Sequence, residues 1–200
     1  MLNIFAFAMQ YFKFTTMSGD RYHIDDQNGV YFLTFTVVGW LDVFIRKKYK
    51  RVIIESLSFC IENKGLELYA WCLMSSHIHI IASAKEGHGL SAIIRDFKKH
   101  TAKQIIKLID EQDESRRKWL LWYFEREGKK DKRITRYKFW QEDNHAIFLD
   151  RNQIEMINQK VDYIHQNPVE EGIVENAEDY LYSSARNFAG WKGLIELNEV

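Results

Sequence analysis

From Leu66 to Ser83 the chain is almost continuously apolar, aromatic or β-branched, and its one soft spot is Ser75-Ser76. Two strands joined by so short a link form an antiparallel hairpin. Successive side chains of a strand point to opposite faces. His77 and His79 therefore project together, while Ile78 and Ile80 enter the other layer. Two imidazoles side by side on a rigid strand make half of a metal site. The same pair also suits the wet face of an edge strand, and taken alone the motif leaves both readings open.

The flanking chain places that hairpin in a larger pattern. Tyr31 to Val38 is rich in aromatic and β-branched residues and follows the turn signal Asp25-Asp26-Gln27-Asn28-Gly29, so it reads as a first strand. Arg46 to Lys64 has Tyr49, Val52, Ile53, Leu57, Cys60 and Ile61 at helical spacing, and Gly65 suits the left-handed position past a helix end. Leu90 to about Ile109 reads as a second helix. Arg136–Gln141 and Ala146–Leu149 are expected to supply a fourth strand in broken form. Asp150 is expected to cap a third helix that stops near Asn167, because Pro168 disfavours helical geometry in the residue before it.

This order is strand, helix, strand, strand, helix, strand and then a helix. It predicts an α+β, ferredoxin-like split β-α-β fold: one antiparallel sheet with helices on one face, followed by a C-terminal helix. The histidines then lie on a central strand. The 200 residues, 46% of them hydrophobic, fit a single domain over 17–190 with a charged insertion at about 110–136 and a tail at 191–200. Residues 1–16 are apolar but lack a basic leader and a cleavage site, so they are expected to be a doubtful extension before a start at Met17. The two cysteines have no metal or disulfide spacing, and a reducing cytoplasm is expected. No apolar run reaches the length of a membrane span.

Charge is unevenly distributed. The chain is neutral, yet residues 95–138 hold 15 basic and 8 acidic side chains. Arg95, Lys98, Lys99, Lys103 and Lys107 lie on one face of the second helix. Such a face either grips nucleic-acid phosphates or is simply solvated.

A second chemical stretch, Val161-Asp162-Tyr163-Ile164-His165-Gln166-Asn167-Pro168-Val169, closes the third helix. Ile154, Ile157, Val161 and Ile164 define its apolar face. At about 100° per residue, Tyr163 points roughly 140° away from the centre of that face. Such a tyrosine can equally be plain surface cover. Asn167, four residues on, shares its face. Its amide oxygen is a candidate to join two imidazoles around a cation. His165 lies nearer the apolar side and reads as structural.

His77-Ile78-His79 followed by Tyr163-Ile164-His165-x-Asn167-Pro168-Val169 resembles the single-tyrosine transposases, and within them the REP-associated tyrosine transposases. Leu68-Tyr69-Ala70-Trp71, Phe97-Lys98-Lys99, Phe139-Trp140 and Tyr182-Ser183-Ser184 extend the resemblance from about Arg21 to Phe188. It implies metal-dependent cleavage and rejoining of single-stranded DNA near hairpins. Tyr163 would be the nucleophile of a 5′-phosphotyrosine intermediate. His77, His79 and Asn167 would hold Mg or Mn, with a homodimer as one possible assembly. The alternative is a domesticated hairpin-binding protein without strand transfer. Met74-Ser75-Ser76 departs from the usual proline and asparagine before the histidines.

Overall fold

A computed structural model describes residues 23–198. The expectation about residues 1–16 lies outside them. Four strands form one antiparallel sheet: β1 (Val30–Thr36), β2 (Leu66–Leu73), β3 (His77–Ala84) and β4 (Ile147–Leu149), in the order β2-β3-β1-β4. The helices are α1 (Lys47–Lys64), α2 (Leu90–Glu111), α3 (Arg117–Gly128), α4 (Ile154–Glu170) and the single turn α5 (Ala185–Phe188). Each helical crossover joins strands that are not neighbours, which gives the ferredoxin-like weave predicted from the element order.

Period-two alternation sorts the strand residues into two cores. Leu33, Phe35, Ile78 and Ile80 pack with Tyr49, Ile53 and Leu57 of α1 and with Ile94, Phe97 and Ile105 of α2. Val30, Phe32, Tyr69, Cys72 and Ile81 face the other way and meet Ile157, Val161 and Ile164 of α4. Helices α1 and α2 thus share one face, and the C-terminal helix covers the opposite one. A bulge between Leu68 and Ala70 shifts the β2 register, so Tyr69 and Ala70 both turn toward α4.

The free edge of β2 is covered, which removes an aggregation-prone row of unpaired backbone groups. Leu73 N–H donates to the Tyr182 carbonyl and Ser184 N–H to the Trp71 carbonyl, both at 2.9 Å. Two boundaries differ from expectation. Helix α4 begins at Ile154, not after Asp150. Asp150 instead closes a preceding turn, its carboxylate accepting from Asn152 N–H at 2.9 Å. The helix also runs through Pro168 to Glu170. A proline in the last turn forfeits only one helical hydrogen bond there, and the Pro168 carbonyl accepts from Ile173 N–H at 2.9 Å. The fourth strand has the broken form expected: β4 is three residues long, and Trp140 bridges Val37 ahead of it.

Residues 110–136 are anchored, not loosely appended. Leu120 and Phe124 of α3 are fully buried in the α1–α2 core. Just before α3, Glu114 is buried and accepts from the Tyr49 hydroxyl at 3.0 Å. It also pairs with Arg46 at 2.9 Å, and its other oxygen accepts from Arg116 N–H at 3.1 Å. Burial alone would raise its pKa. The Arg116 N–H, the Tyr49 hydroxyl and Arg46 outweigh burial and hold it below the usual carboxylate range.

A depressed carboxylate pKa adds stability that is present above the unfolded value and lost as pH falls through the folded one. Glu114→Ala is therefore expected to destabilise the fold by roughly 3 kcal/mol, the low end for breaking a buried pair because Arg46 keeps contact with water. In urea titrations the deficit of the variant should shrink below about pH 4, and an equal deficit at both pH values would refute the assignment.

Candidate active site

The site forms where β1 and β3 pair beneath α4. Antiparallel register sets Thr34 opposite His79 and Thr36 opposite His77. All four side chains emerge on the α4 face, on the same side as Phe32. Thr34 Oγ1 lies 2.8 Å from His79 Nδ1. If the ring donates from Nδ1 to the hydroxyl, its Nε2 carries the free lone pair. His79 Nε2 is indeed buried with no hydrogen-bond partner. Ser76 Oγ stands 3.1 Å from His77 Nδ1 in the same way. The two imidazole centroids are 4.7 Å apart.

Both rings are neutral near pH 7. Burial pushes His77 down to about 4. Burial also holds His79 well below the usual imidazole range, with the neighbouring His77, His145 and Lys160 adding to the effect. Two neutral imidazoles with an orphaned, inward-facing nitrogen are a donor set that fits a divalent cation. Among the described residues there is no cluster of three or more His, Cys, Asp or Glu, so a third protein donor must be of another type.

Helix α4 brings Tyr163 to this pair. Its ring centroid is 5.5 Å from that of His79, nearly edge-on, and 5.9 Å from that of Phe32. Phe32 in turn stacks on His79 at 5.4 Å. The contact is made within one chain. Tyr163 remains 39% exposed. Burial raises its phenol pKa, an effect that the Asn167 side chain opposes and Glu170 reinforces.

Asn167 donates through Nδ2 to the Tyr163 carbonyl at 2.6 Å. This commits the amide nitrogen to the helix and leaves Oδ1 as its acceptor end. His165 points elsewhere: it is buried, with Nε2 2.7 Å from Ser184 Oγ. It ties α4 to the chain beside β2, the structural role its position predicted.

The basic residues of α2 do not join the site. Their helix packs on the other face of the sheet. Arg95, Lys99, Lys103 and Lys107 are exposed there as a stripe of one residue per four. Lys98 sits apart from this stripe. Its ammonium lies inside the fold, donating to the Gln141 carbonyl at 2.8 Å and to Asn144 Oδ1 at 2.6 Å, and burial lowers its pKa to about 8. It braces the segment that leads into β4.

Sequence patterns do not single out three further residues at the site. Thr34 orients His79, and only the strand register exposes that role. Lys160 lies one turn before Tyr163, with Nζ 5.3 Å from the Phe32 ring and 6.0 Å from the Tyr163 ring; its i−3 spacing was the available signal. Trp40 sets its ring 5.4 Å from that of His77, through a left-handed backbone that no pattern predicts.

The family model described as "Transposase IS200 like" matches residues 41–125, a span that includes β2, β3 and both histidines but ends before α4. A protein of Haemophilus influenzae named as a REP-associated tyrosine transposase is 28% identical over 124 residues, 62% of this chain. The chain spans 61% of that relative's length. A solved structure of a REP-associated tyrosine transposase bound to a REP hairpin superposes with a TM-score of 0.59 at 20% identity, covering 92% of this chain and 93% of the other. At that identity the likeness is one of fold, and it agrees with the α+β sheet described above. The strand-borne histidines lie inside the span that is similar to the IS200-like transposase family.

Proposed function

We propose that this protein is a metal-dependent transposase that cleaves and rejoins single-stranded DNA beside hairpins. The observation that carries the reading is the meeting of Tyr163 and His79, 5.5 Å between ring centroids, on the α4 face of the sheet. The fold match bound to a REP hairpin supports a DNA hairpin flanked by unpaired strand as the substrate class. Both rings belong to one chain, so the reading requires no partner subunit to complete the pair. It assigns the protein to the cytoplasm, where its DNA is. Among the described residues no helix is long and apolar enough to cross a membrane.

Tyr163 supplies the nucleophile. Its Oη bonds to the scissile phosphorus as the phenol proton leaves, and the bond to the 3′-oxygen breaks. That oxygen takes up a proton, giving a free 3′-hydroxyl and a 5′-phosphotyrosyl link. Attack by another 3′-hydroxyl reverses the step and rejoins the strand. His77 and His79, with Asn167 Oδ1, would hold Mg or Mn. A bound divalent ion supplies Lewis-acid polarisation of the phosphate. Phe32 and Thr34 keep the His79 ring in place, and Lys160 brings a cation alongside the phenol.

The α2 stripe of Arg95, Lys99, Lys103 and Lys107 lies on the far layer. In this reading it grips a part of the substrate other than the scissile strand, and the hairpin arm is the natural candidate.

With a labelled hairpin substrate and Mn²⁺, a covalent protein–DNA adduct is expected, and Tyr163→Phe should abolish it. An undiminished adduct in that variant would falsify the nucleophile assignment. His77→Ala and His79→Ala should each weaken Mn²⁺ binding, read by electron paramagnetic resonance without DNA. Binding at wild-type strength would remove the ligand assignment. Neutralising Lys99, Lys103 and Lys107 to Gln should lower the salt slope of hairpin binding by about one unit for every phosphate released from the protein. Lys98→Gln should leave the slope alone and lower the melting temperature instead. The reverse pattern would return Lys98 to the DNA interface.

A further inference from the structure

The tryptophans of α3 are not part of the site described so far, and Trp40 touches it only at the His77 ring. Trp119, Trp122, Tyr123 and Arg126 fall at i, i+3, i+4 and i+7, one stripe of the helix. Trp119 is 46% exposed and Trp122 54%, while Leu120 and Phe124 already bury the opposite side of the helix. Packing therefore does not call for the tryptophans. Their rings lie 5.8 and 6.4 Å from that of Tyr123. The Arg126 guanidinium covers Tyr123 at 4.6 Å and Trp122 at 5.1 Å.

This row connects to the histidine pair. The Tyr123 hydroxyl packs against Gly39 so closely that a Cβ there would displace the Tyr123 ring, and Gly39 itself has φ +67. The next residue, Trp40, is held at φ 55, a strained backbone for a bulky side chain. Yet its indole is 56% exposed and meets the His77 ring at 5.4 Å. The strained turn holds a bare aromatic face beside the site.

We propose that Trp40, Trp119 and Trp122 form a stacking ledge for unpaired bases of the strand that leads away from the scissile phosphate. The inference rests on the single-stranded DNA reading of the site for its occupant. Charge complementarity favours that occupant. Lys129 and Lys130 at the end of α3 are paired with Glu125 and Glu127, but residues 116–138, Lys118 among them, hold 10 basic side chains against 3 acidic ones and leave the surroundings of the row net positive. A second copy of the chain docked symmetrically would set these cations against their own equivalents. Alternating aromatic faces and cations are what a flexible, phosphate-linked row of bases requires.

The test uses the full chain without metal, a fluorescein-labelled single strand of mixed sequence, and a blunt-ended hairpin. Anisotropy is read at one fixed salt concentration. Joint Trp119→Ala and Trp122→Ala should weaken single-strand binding about tenfold and hairpin binding by less than about twofold. Trp40→Ala should act in the same direction, and Trp122→Phe should retain most of the affinity. Quenching of tryptophan emission by the strand should shrink in parallel. Single-strand affinity within about twofold of wild type in the double variant overturns the ledge. Should Trp40→Ala fail to fold, the double variant still decides, because both of its positions are exposed. A wild-type dimer that the double variant converts to monomer, with strand affinity unchanged, also overturns the ledge and assigns the face to a second copy. Tyr163→Phe should lose the adduct but keep strand affinity. A wild type that binds the strand through these residues and forms no adduct overturns the nuclease reading while the ledge stands.

Discussion

The pairing of β1 with β3 is the constraint on which the rest depends. It sets Thr34 opposite His79 and Thr36 opposite His77. A one-residue slip would turn both imidazoles into the α1–α2 core and lift Ile78 and Ile80 into the site. Each face excludes that error for its own reason. One requires aliphatic volume between two helices. The other offers Thr34 Oγ1 at 2.8 Å to a buried ring nitrogen. Unpaired polar atoms in a core are costly, so the register that satisfies His79 Nδ1 is also the one that leaves Nε2 as the orphan. The same arrangement thus supports the fold and prepares the donor.

The sheet separates functions by layer. Helices α1, α2 and α3 lie with the large aliphatic and aromatic core on one side. The proposed site lies on the other side, under α4. The basic stripe of α2 and the Tyr163 site are therefore not one continuous surface, although both are prominent in the sequence. What reaches round toward the histidines is the turn at Gly39 and Trp40, held from below by Tyr123 of α3. The charged segment 110–136 is tied to the fold through that contact and through the buried Glu114, which links it to Tyr49 and Arg46.

Much of the fold is legible from local pattern. Strands β1, β2 and β3, the first two helices and the glycine at the end of α1 follow from periodicity and turn chemistry, because long, strongly patterned segments obey local rules. The same-side projection of His77 and His79 is a consequence of pleat geometry alone. Tyr163 and Asn167 share a face by helical spacing, and Asn167 does bond back to the Tyr163 carbonyl. The boundaries of α4 are less accessible. Asp150 finds a better use in a turn, and Pro168 is tolerated because its neighbours in the last turn supply other bonds.

The sequence by itself determined the two strand faces, the helix that bears the tyrosine and the chemical types of the donors, since these depend on residue identity at fixed local spacing. Only the tertiary structure decided that Tyr163 meets His79 within one chain, that Lys98 bonds back to Gln141 and Asn144, and that Trp40 stands exposed beside His77. Each of these depends on residues far apart in the chain converging through sheet order and layer packing. Local propensity carries no information about that convergence.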